Sequence, residues 1–268
     1  KRQVWQRMIV VLAGAFMNIV LGFIVIVVLT CMDTSVPTTV IDSFHTASES
    51  ASEYSASSYD CGLREGDKII EIDGMDIMTV KDLQYALISS ENDSYDLVVK
   101  RNGERTELND VVFKDKSTGS LVDFYIKAHK KTPLNVLSYS AKDTVSTAKL
   151  VWLSLKDLVT GKYGFKDLSG PVGLVDAIGD AADSGINIKE SVMSLFSLTS
   201  LITINLGIFN LLPIPGLDGG RFIFLVVEAI RRKPVKPEHE GAVHLIGMAL
   251  LMLLIIAVTF SDIKKLFG

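Results

Sequence analysis

The chain has 268 residues, of which 48% are hydrophobic, and its 31 acidic and 27 basic side chains give a formal net charge of −4. This acidic balance, without a basic stripe interleaved with aromatic residues, argues against nucleic-acid binding. Two cysteines, Cys31 and Cys61, are too few for a disulfide framework or a zinc knuckle, so we expect two unpaired thiols. Strongly apolar blocks flank an ordinary soluble region from Asp33 to Lys189.

The first apolar block predicts a transmembrane helix. Residues Lys1 to Arg7 are basic and include Trp5, whereas Met8 to Leu29 contains no ionisable side chain. That length is sufficient, because a helix needs about 20 apolar residues to cross a bilayer. Trp5 suits the interface, and the basic residues suit the cytoplasmic side. Within the block, Asn18 is either an interhelical hydrogen-bonding residue or part of a functional site.

Residues Val36 to about Phe113 predict a small β-rich domain. Asp73-Gly74 and Asn102-Gly103 are strong hairpin turns between alternating strand patterns. Thr79 is a candidate N-cap for a helix from Val80 to Ile88.

A long amphipathic helix is predicted to follow from Thr132-Pro133. We expect its apolar face to lie at the membrane interface, and core packing against the β-rich domain is the alternative. The residues of this face are Leu134, Leu137, Ala141, Val145, Ala148, Val151, Trp152 and Leu155.

An apolar segment from Ser191 to Arg232 is too long for one straight crossing and contains helix breakers. Pro213 and Pro215 each remove a backbone donor. Asp218 is the only acidic residue between Glu190 and Glu228, and an intramembrane carboxylate is a candidate functional residue. We therefore predict two half-helices joined by a buried polar turn that holds one carboxylate.

Residues Ala242 to Phe260 predict the last crossing. His239 and His244 before it are spaced i, i+5, which turns their rings apart on a helix, so we expect interfacial residues at a helix start. Two crossings separate the N-terminal basic cluster from a second one, so the positive-inside bias places both in the cytoplasm and the β-rich domain outside. The second cluster consists of Arg221, Arg231, Arg232, Lys233 and Lys236.

Four motifs, which follow one another along the chain in the family's order, resemble the site-2 proteases, which are zinc metalloproteases that cut within the membrane. The segment from Asn210 to Gly219, NLLPIPGLDG, resembles the family motif NxxPxxxLDG in its bacterial, RseP-type form. The segment from Ala13 to Asn18 resembles AGPxxN, with Ala15 in place of Pro. The segment GLREGDKIIEIDG resembles a bacterial PDZ domain, and SGPVG resembles a motif before the third transmembrane helix.

This resemblance implies a metal site and a substrate-binding segment. It implies that Asp218 is a Zn²⁺ ligand and that Asn210, with Pro213 and Pro215 of the same motif, lies against the substrate. The family's other ligands and its catalytic Glu come from an HExxH, which this sequence lacks, so the catalytic residues are unknown. The sequence starts at Lys1 without an initiator Met, and we expect a preceding helix with HExxH, without which this chain would be inactive.

The predicted fold is a multi-pass α-helical membrane protein with an inserted extracytoplasmic PDZ domain (α+β), in a bacterial cytoplasmic (inner) membrane. The expected segments are a transmembrane helix (1–32), the PDZ domain (33–131), an amphipathic helix with the SGPVG linker (132–189), a discontinuous transmembrane helix (190–232) and a last helix with its tail (233–268).

The resemblance implies an endopeptidase of regulated intramembrane proteolysis. Its expected substrates are single-pass membrane proteins, such as anti-sigma factors or remnant signal peptides, and its PDZ domain is expected to bind a peptide or C-terminus or to act as a steric filter. A non-catalytic, membrane-tethered PDZ adaptor is the alternative. A transporter is a weaker one, because broken helices with a midplane carboxylate also form ion sites.

Overall fold

The computed structural model describes residues 3–45, 57–90, 92–113, 122–162, 171–183, 187–233 and 237–267. The chain divides into two compact units. A helical unit consists of Lys1–Leu29 with Thr147–Gly268, and a sheet unit consists of Thr30–Ser146. In chain order the elements are α1 (Val4–Met32), β1 (Val36–Phe44), α2 (Ser57–Asp60), β2 (Lys68–Ile72), β3 (Met75–Asp76), α3 (Val80–Ser89), β4 (Tyr95–Arg101), β5 (Glu104–Val111), β6 (Phe124–His129), α4 (Pro133–Val159), α5 (Pro171–Asp183), α6 (Ile188–Leu211), α7 (Asp218–Arg231) and α8 (Pro237–Phe267).

The helical unit contains the segments that could cross a membrane. Among the described residues, three helical stretches are long and apolar enough: Val4–Met32, Ile188–Leu211 and Glu240–Lys264. Together with the six-stranded sheet, they confirm the coarse prediction of a multi-helix membrane protein with a β-containing region.

Glycines bring α1 and α6 into close contact. A methyl group at Gly22 would lie 2.4 Å from Cγ1 of Ile204, and one at Gly207 would lie 3.0 Å from the carbonyl oxygen of Ala15. Larger side chains at either glycine would force the helices apart, since packed interiors leave no room for such overlap. Elsewhere in this unit, the buried carboxylate of Asp262 on α8 accepts a 3.0 Å hydrogen bond from the amide of Gly173 in the first turn of α5.

The sheet unit is an antiparallel sheet with strand order β5-β4-β2-β1-β6, and β3 pairs with β2. Both predicted hairpin turns are present. Asp73 and Gly74 between β2 and β3, and Asn102 and Gly103 between β4 and β5, all have positive φ, as a type I′ turn requires. The predicted N-cap of α3 is also confirmed, because Thr79 and Asp82 form a capping box.

The compact sheet unit continues beyond Lys131 and includes the first half of α4, which packs through its polar side. Ser140 hydrogen-bonds Thr30, and Ser146 accepts a hydrogen bond from the hydroxyl of Thr79. The Lys81 ammonium lies 2.7 Å from the Asp143 carboxylate. Burial raises the pKa of Asp143, and the charge of Lys81 opposes that rise.

The predicted apolar face of α4 points away from this packing. Leu134 is 76% exposed, and Leu137, Val145 and Trp152 are exposed as well. The alternative of core packing through this face is therefore wrong for these four residues. Ser140, Asp143 and Ser146 on the opposite side have partners elsewhere in the sheet unit, which lowers the cost of burying them.

An ion pair between Asp67 of the GLREGD segment and Arg101 connects the loop before β2 to the end of β4. Nε and one terminal nitrogen of Arg101 donate to the two carboxylate oxygens of Asp67 at 2.8 and 2.7 Å. The same arginine donates to the carbonyl of Gly62, and Asp67 also accepts from the amide of Arg64. Asp67 is fully buried, so its charge depends on these donors.

We predict that Asp67→Asn lowers the free energy of unfolding of the sheet unit by about 2–3 kcal/mol, because it replaces charge-assisted hydrogen bonds by an amide that faces the guanidinium. The loss is measured by unfolding the whole chain with urea in detergent micelles and monitoring the hydrogen-exchange protection of backbone amides in β2 and β4. The exposed residue Glu104 at the neighbouring hairpin provides the control, since Glu104→Gln should change stability by less than about 0.5 kcal/mol. Equal stability of the two variants would contradict the assigned role of Asp67.

Candidate active site

The candidate site is the interruption between α6 and α7. Helix α6 ends at Leu211, and α7 begins at Asp218. Pro213 and Pro215 have no amide to donate, and the turn is closed by short backbone hydrogen bonds, including the one from the amide of Leu217 to the carbonyl of Ile214. The loss of donors at the two prolines therefore ends the helix where the sequence predicts a break.

Two buried glycines let the first turn of α7 lie directly on this turn. A methyl group at Gly219 would lie 2.2 Å from the carbonyl oxygen of Leu212, and one at Gly220 would lie 2.4 Å from that of Ile214. No side chain fits at either position without moving backbone. The LDGG sequence is thus explained by backbone-to-backbone packing, which fixes where α7 begins.

Asp218 is the first residue of α7, and its side chain is exposed. The prediction of a buried carboxylate is therefore wrong for this chain. The carboxylate lies beside α1, where a methyl group at Gly14 would be 3.7 Å from Oδ2 of Asp218. Within the described part of the chain it has no hydrogen-bond partner, and the N-terminal end of the helix dipole favours a negative charge there. Asp218 is thus an accessible acidic side chain at the surface of the helical unit.

The other predicted site residues lie in the same segment. Asn210 is half-buried in the last turn of α6, and Pro213 and Pro215 are exposed in the turn. The structure therefore has Asn210, both prolines and Asp218 along one continuous stretch of backbone. Two residues of the SGPVG motif, Ser169 and Gly170, lie outside the described residues.

The described residues do not form a complete metal site. They contain no group of three or more His, Cys, Asp and Glu side chains that could hold a metal ion. A catalytic zinc site typically uses three protein ligands and a water. The accessible carboxylate of Asp218, which has no hydrogen-bond partner among the described residues, suits one of these ligand positions, so the residues present fit zinc only in part.

Sequence reasoning did not predict the contacts that two residues make at the site. Gly14 lies beside Asp218, and His244 on α8 accepts a hydrogen bond from the amide of Gly216. This bond adds a contact to the expectation of interfacial residues at a helix start; the side chain of His239 lies outside the described residues. The available signal was the i, i+4, i+7 spacing of Glu240, His244 and Gly247, which puts polar and small residues on one face of an apolar helix.

Comparison with known proteins agrees with this arrangement. The family model described as peptidase family M50 matches residues 1–254. The chain belongs to peptidase family M50. This membership confirms the predicted resemblance to the site-2 proteases, with their transmembrane metalloprotease core.

The M50 chain is also similar to curated bacterial proteins that carry the name RasP. It is 36% identical over 269 residues to the regulator of sigma-W protease RasP of Bacillus subtilis, covering 99% of this chain and 61% of that protein. It is 34% identical over 275 residues to the zinc metalloprotease RasP of Bacillus licheniformis, with 99% and 61% covered. It is 33% identical over 266 residues to the zinc metalloprotease RasP of Geobacillus kaustophilus, with 98% and 60% covered. The chain thus spans less than two thirds of the length of these relatives.

The contact between α1 and the carboxylate of this M50 chain can be tested by cross-linking. We predict that cysteines introduced by Gly14→Cys and Asp218→Cys react with one short bifunctional thiol reagent, because the two positions are in van der Waals range. Cys31 and Cys61 are replaced by Ser beforehand, and gel mobility after protease cleavage between the helices measures the yield. The pair Phe16→Cys and Asp218→Cys is the control, since Phe16 is an exposed residue two positions along α1. Equal yields for both pairs would show that Gly14 does not face the carboxylate.

Proposed function

We propose that this chain is the part of a zinc-dependent intramembrane endopeptidase that supplies the carboxylate ligand. The single observation that carries the proposal is Asp218, an accessible carboxylate at the start of a half-helix that has no hydrogen-bond partner among the described residues. It lies in a unit whose described part contains three membrane-capable helices. Family M50 membership and the relatives named zinc metalloproteases support the assignment of the metal.

In the proposed site, each residue of the segment has a separate role. Asp218 holds the metal through a carboxylate oxygen, and α7 orients that oxygen because its backbone is locked on the turn by Gly219 and Gly220. Asn210 offers its side-chain amide to the backbone of an unwound substrate, and Pro213 and Pro215 form an exposed wall beside it. Zinc, when bound, lowers the pKa of its water ligand to about 7 and polarises the scissile carbonyl.

The remaining metal ligands and the general base would come from an HExxH outside these 268 residues. This part of the proposal is supported by the absence of HExxH from the sequence and by the length of the relatives, of which the chain covers only 60% to 61%. The exposure of Asp218 is consistent with it, because a ligand set completed by another segment needs an open approach to the carboxylate.

We also propose the topology and the role of the sheet unit. The positive-inside bias puts both basic clusters in the cytoplasm of a bacterial cell membrane and the segment after α1 outside. The sheet unit would be a PDZ domain, in which the outer strands β5 and β6 offer edges for an added peptide strand. The exposed apolar face of α4, which includes Leu134, Leu137 and Val145, would lie in the membrane interface.

The proposed substrates are single-pass membrane proteins whose ectodomains have already been shortened, such as anti-sigma factors or remnant signal peptides. The printed name of the Bacillus subtilis relative links that protein to sigma-W, which supports the first class. A non-catalytic PDZ adaptor is the second candidate function, and the incomplete ligand set of the described residues favours it.

We predict that Asp218→Asn in the full-length protein lowers both zinc content and cleavage, the latter by at least about 100-fold, because even residues behind the ligands affect metalloenzymes by 10- to 100-fold. Zinc per protein molecule and cleavage of a single-pass reporter in proteoliposomes measure the effect. Asp180→Asn on α5, an exposed carboxylate in the same unit, should retain both properties. Retained zinc and cleavage in the Asp218 variant would refute the ligand assignment, whereas a full-length wild-type protein that neither binds zinc nor cleaves the reporter would favour the adaptor.

We predict that Asn210→Ala lowers kcat/KM for the same reporter by about tenfold while zinc content is unchanged, because the variant removes one substrate hydrogen bond of about 1 to 2 kcal/mol. Asn205→Ala, five residues earlier on α6, leaves the motif intact and serves as the control, which should retain kcat/KM. Loss of zinc in the Asn210 variant would indicate a structural role instead of substrate binding.

A further inference from the structure

Helix α8 presents one face to the turn between α6 and α7. Glu240, His244, Gly247 and Leu251 recur at intervals of four, three and four residues, which places them on one side of the helix. Cδ1 of Leu251 is 3.2 Å from the position that a methyl group on Gly216 would occupy. The face therefore contacts the segment that ends at Asp218, and each of its members has a separate contact.

The directional contact is a hydrogen bond from the backbone of the turn to a side chain of α8. The amide of Gly216 donates to Nδ1 of His244 over 3.1 Å. Because the amide must donate, Nδ1 carries the lone pair and a neutral imidazole has its proton on Nε2. Gly216 has a φ of 101°, a conformation that glycine adopts readily. In this conformation, the amide of Gly216 donates its hydrogen bond to His244 on α8 and not to a carbonyl of the preceding helix.

The second contact is a close approach between backbones. A methyl group at Gly247 would lie 2.0 Å from the carbonyl oxygen of Pro215 and 2.2 Å from its carbonyl carbon. A methyl group at Gly216 would in turn lie 3.0 Å from the amide nitrogen of Met248. Helix α8 can therefore approach the turn only because position 247 has no side chain, and that approach brings His244 within hydrogen-bond distance of Gly216.

Two further contacts join α8 to α7, the helix that begins with Asp218. The ring centroids of His244 and Phe224 are 6.0 Å apart, which is within the range of aromatic pairs. The guanidinium of Arg221 lies 3.6 Å from the carboxylate of Glu240. The turn and the helix after it are thus both attached to the same face of α8.

We propose that His244 is a positioning residue for the metal-binding carboxylate: through the amide of Gly216 it fixes the turn, and through the turn it fixes the start of α7 and the direction of Asp218. This inference rests on the proposed function for its effect on catalysis. Its structural part, the attachment of the turn to α8, stands on the hydrogen bond and on the Gly247 contact alone.

The side-chain chemistry separates this role from simple packing. Nε2 of His244 is buried and has no hydrogen-bond partner among the described residues, and a buried, unsatisfied donor costs stability. His244→Phe keeps a ring against Phe224 and removes that donor, so packing alone predicts no loss of overall stability. His244→Asn places an oxygen near the position of Nδ1 and can accept from Gly216, whereas His244→Phe cannot.

The experiment compares these two variants in the full-length protein. Deuterium exchange of the peptide that contains Gly216 should be about fivefold faster in His244→Phe, because one hydrogen bond of about 1 kcal/mol is lost, and should return toward the wild-type rate in His244→Asn. Reporter cleavage should show kcat lowered about tenfold or more in His244→Phe with KM little changed, because a small displacement of a reacting group is costly. The overall stability of His244→Phe in detergent should change little, because removal of the unsatisfied Nε2 donor offsets the lost hydrogen bond of Gly216.

Two controls complete the design. Leu245→Asn introduces the same amide at the next position of α8, where the side chain is exposed, and should leave exchange at Gly216 unchanged. Gly247→Ala should accelerate deuterium exchange of the same peptide while His244 is unchanged, because the added methyl group would collide with the carbonyl group of Pro215.

Unchanged exchange and unchanged kcat in His244→Phe would overturn the proposal, as would equal behaviour of the Phe and Asn variants. A failure of the proposed zinc-binding function would give a different result from a failure of this inference. In that case Asp218→Asn retains zinc and cleavage, while exchange at Gly216 still responds to His244→Phe.

Discussion

The candidate site depends on one constraint, namely that a helix interrupted inside a membrane-capable bundle must find new partners for its backbone groups. Between Leu211 and Asp218 the prolines remove donors, and the remaining amides bond nearby carbonyls or His244. The carbonyl groups lie against helices whose glycines present bare backbone. Backbone contacts thus replace the missing helical hydrogen bonds. The glycines that permit this packing are Gly219, Gly220 and Gly247.

The local features of the fold could be predicted from the sequence because local chemistry determines them. Long apolar runs predict the three membrane-capable helices, and Asp73-Gly74 and Asn102-Gly103 predict hairpins because their backbones tolerate positive φ. Helix α4 shows the limit of such reasoning. Its periodicity separates an apolar from a polar face, but it does not say which face the protein buries. Here the buried face is polar, since Ser140, Asp143 and Ser146 find partners within the sheet unit.

The same division applies to the candidate site. Asp218 and the break before it could be predicted, because an acidic residue among prolines in an apolar segment is unusual. The exposure of its carboxylate, the neighbouring Gly14 and the bond from Gly216 to His244 could not, because they depend on how helices distant in sequence pack. Only the spacing of Glu240, His244 and Gly247 indicated a polar face on α8.

The burial of the polar face of α4, with its apolar face exposed, has a practical consequence for studies of the isolated sheet unit. A recombinant domain that ends at Lys131 would leave the hydroxyl of Thr79 and the ammonium of Lys81 without their partners on α4. A domain that ends at Ser146 would retain those partners but would carry the bare stripe of Leu134, Leu137 and Val145 into water, where such a patch promotes aggregation. We therefore expect neither boundary alone to yield a soluble, monomeric protein. Polar replacements along that stripe, or a lipid surface to cover it, are needed to study the sheet apart from the helices.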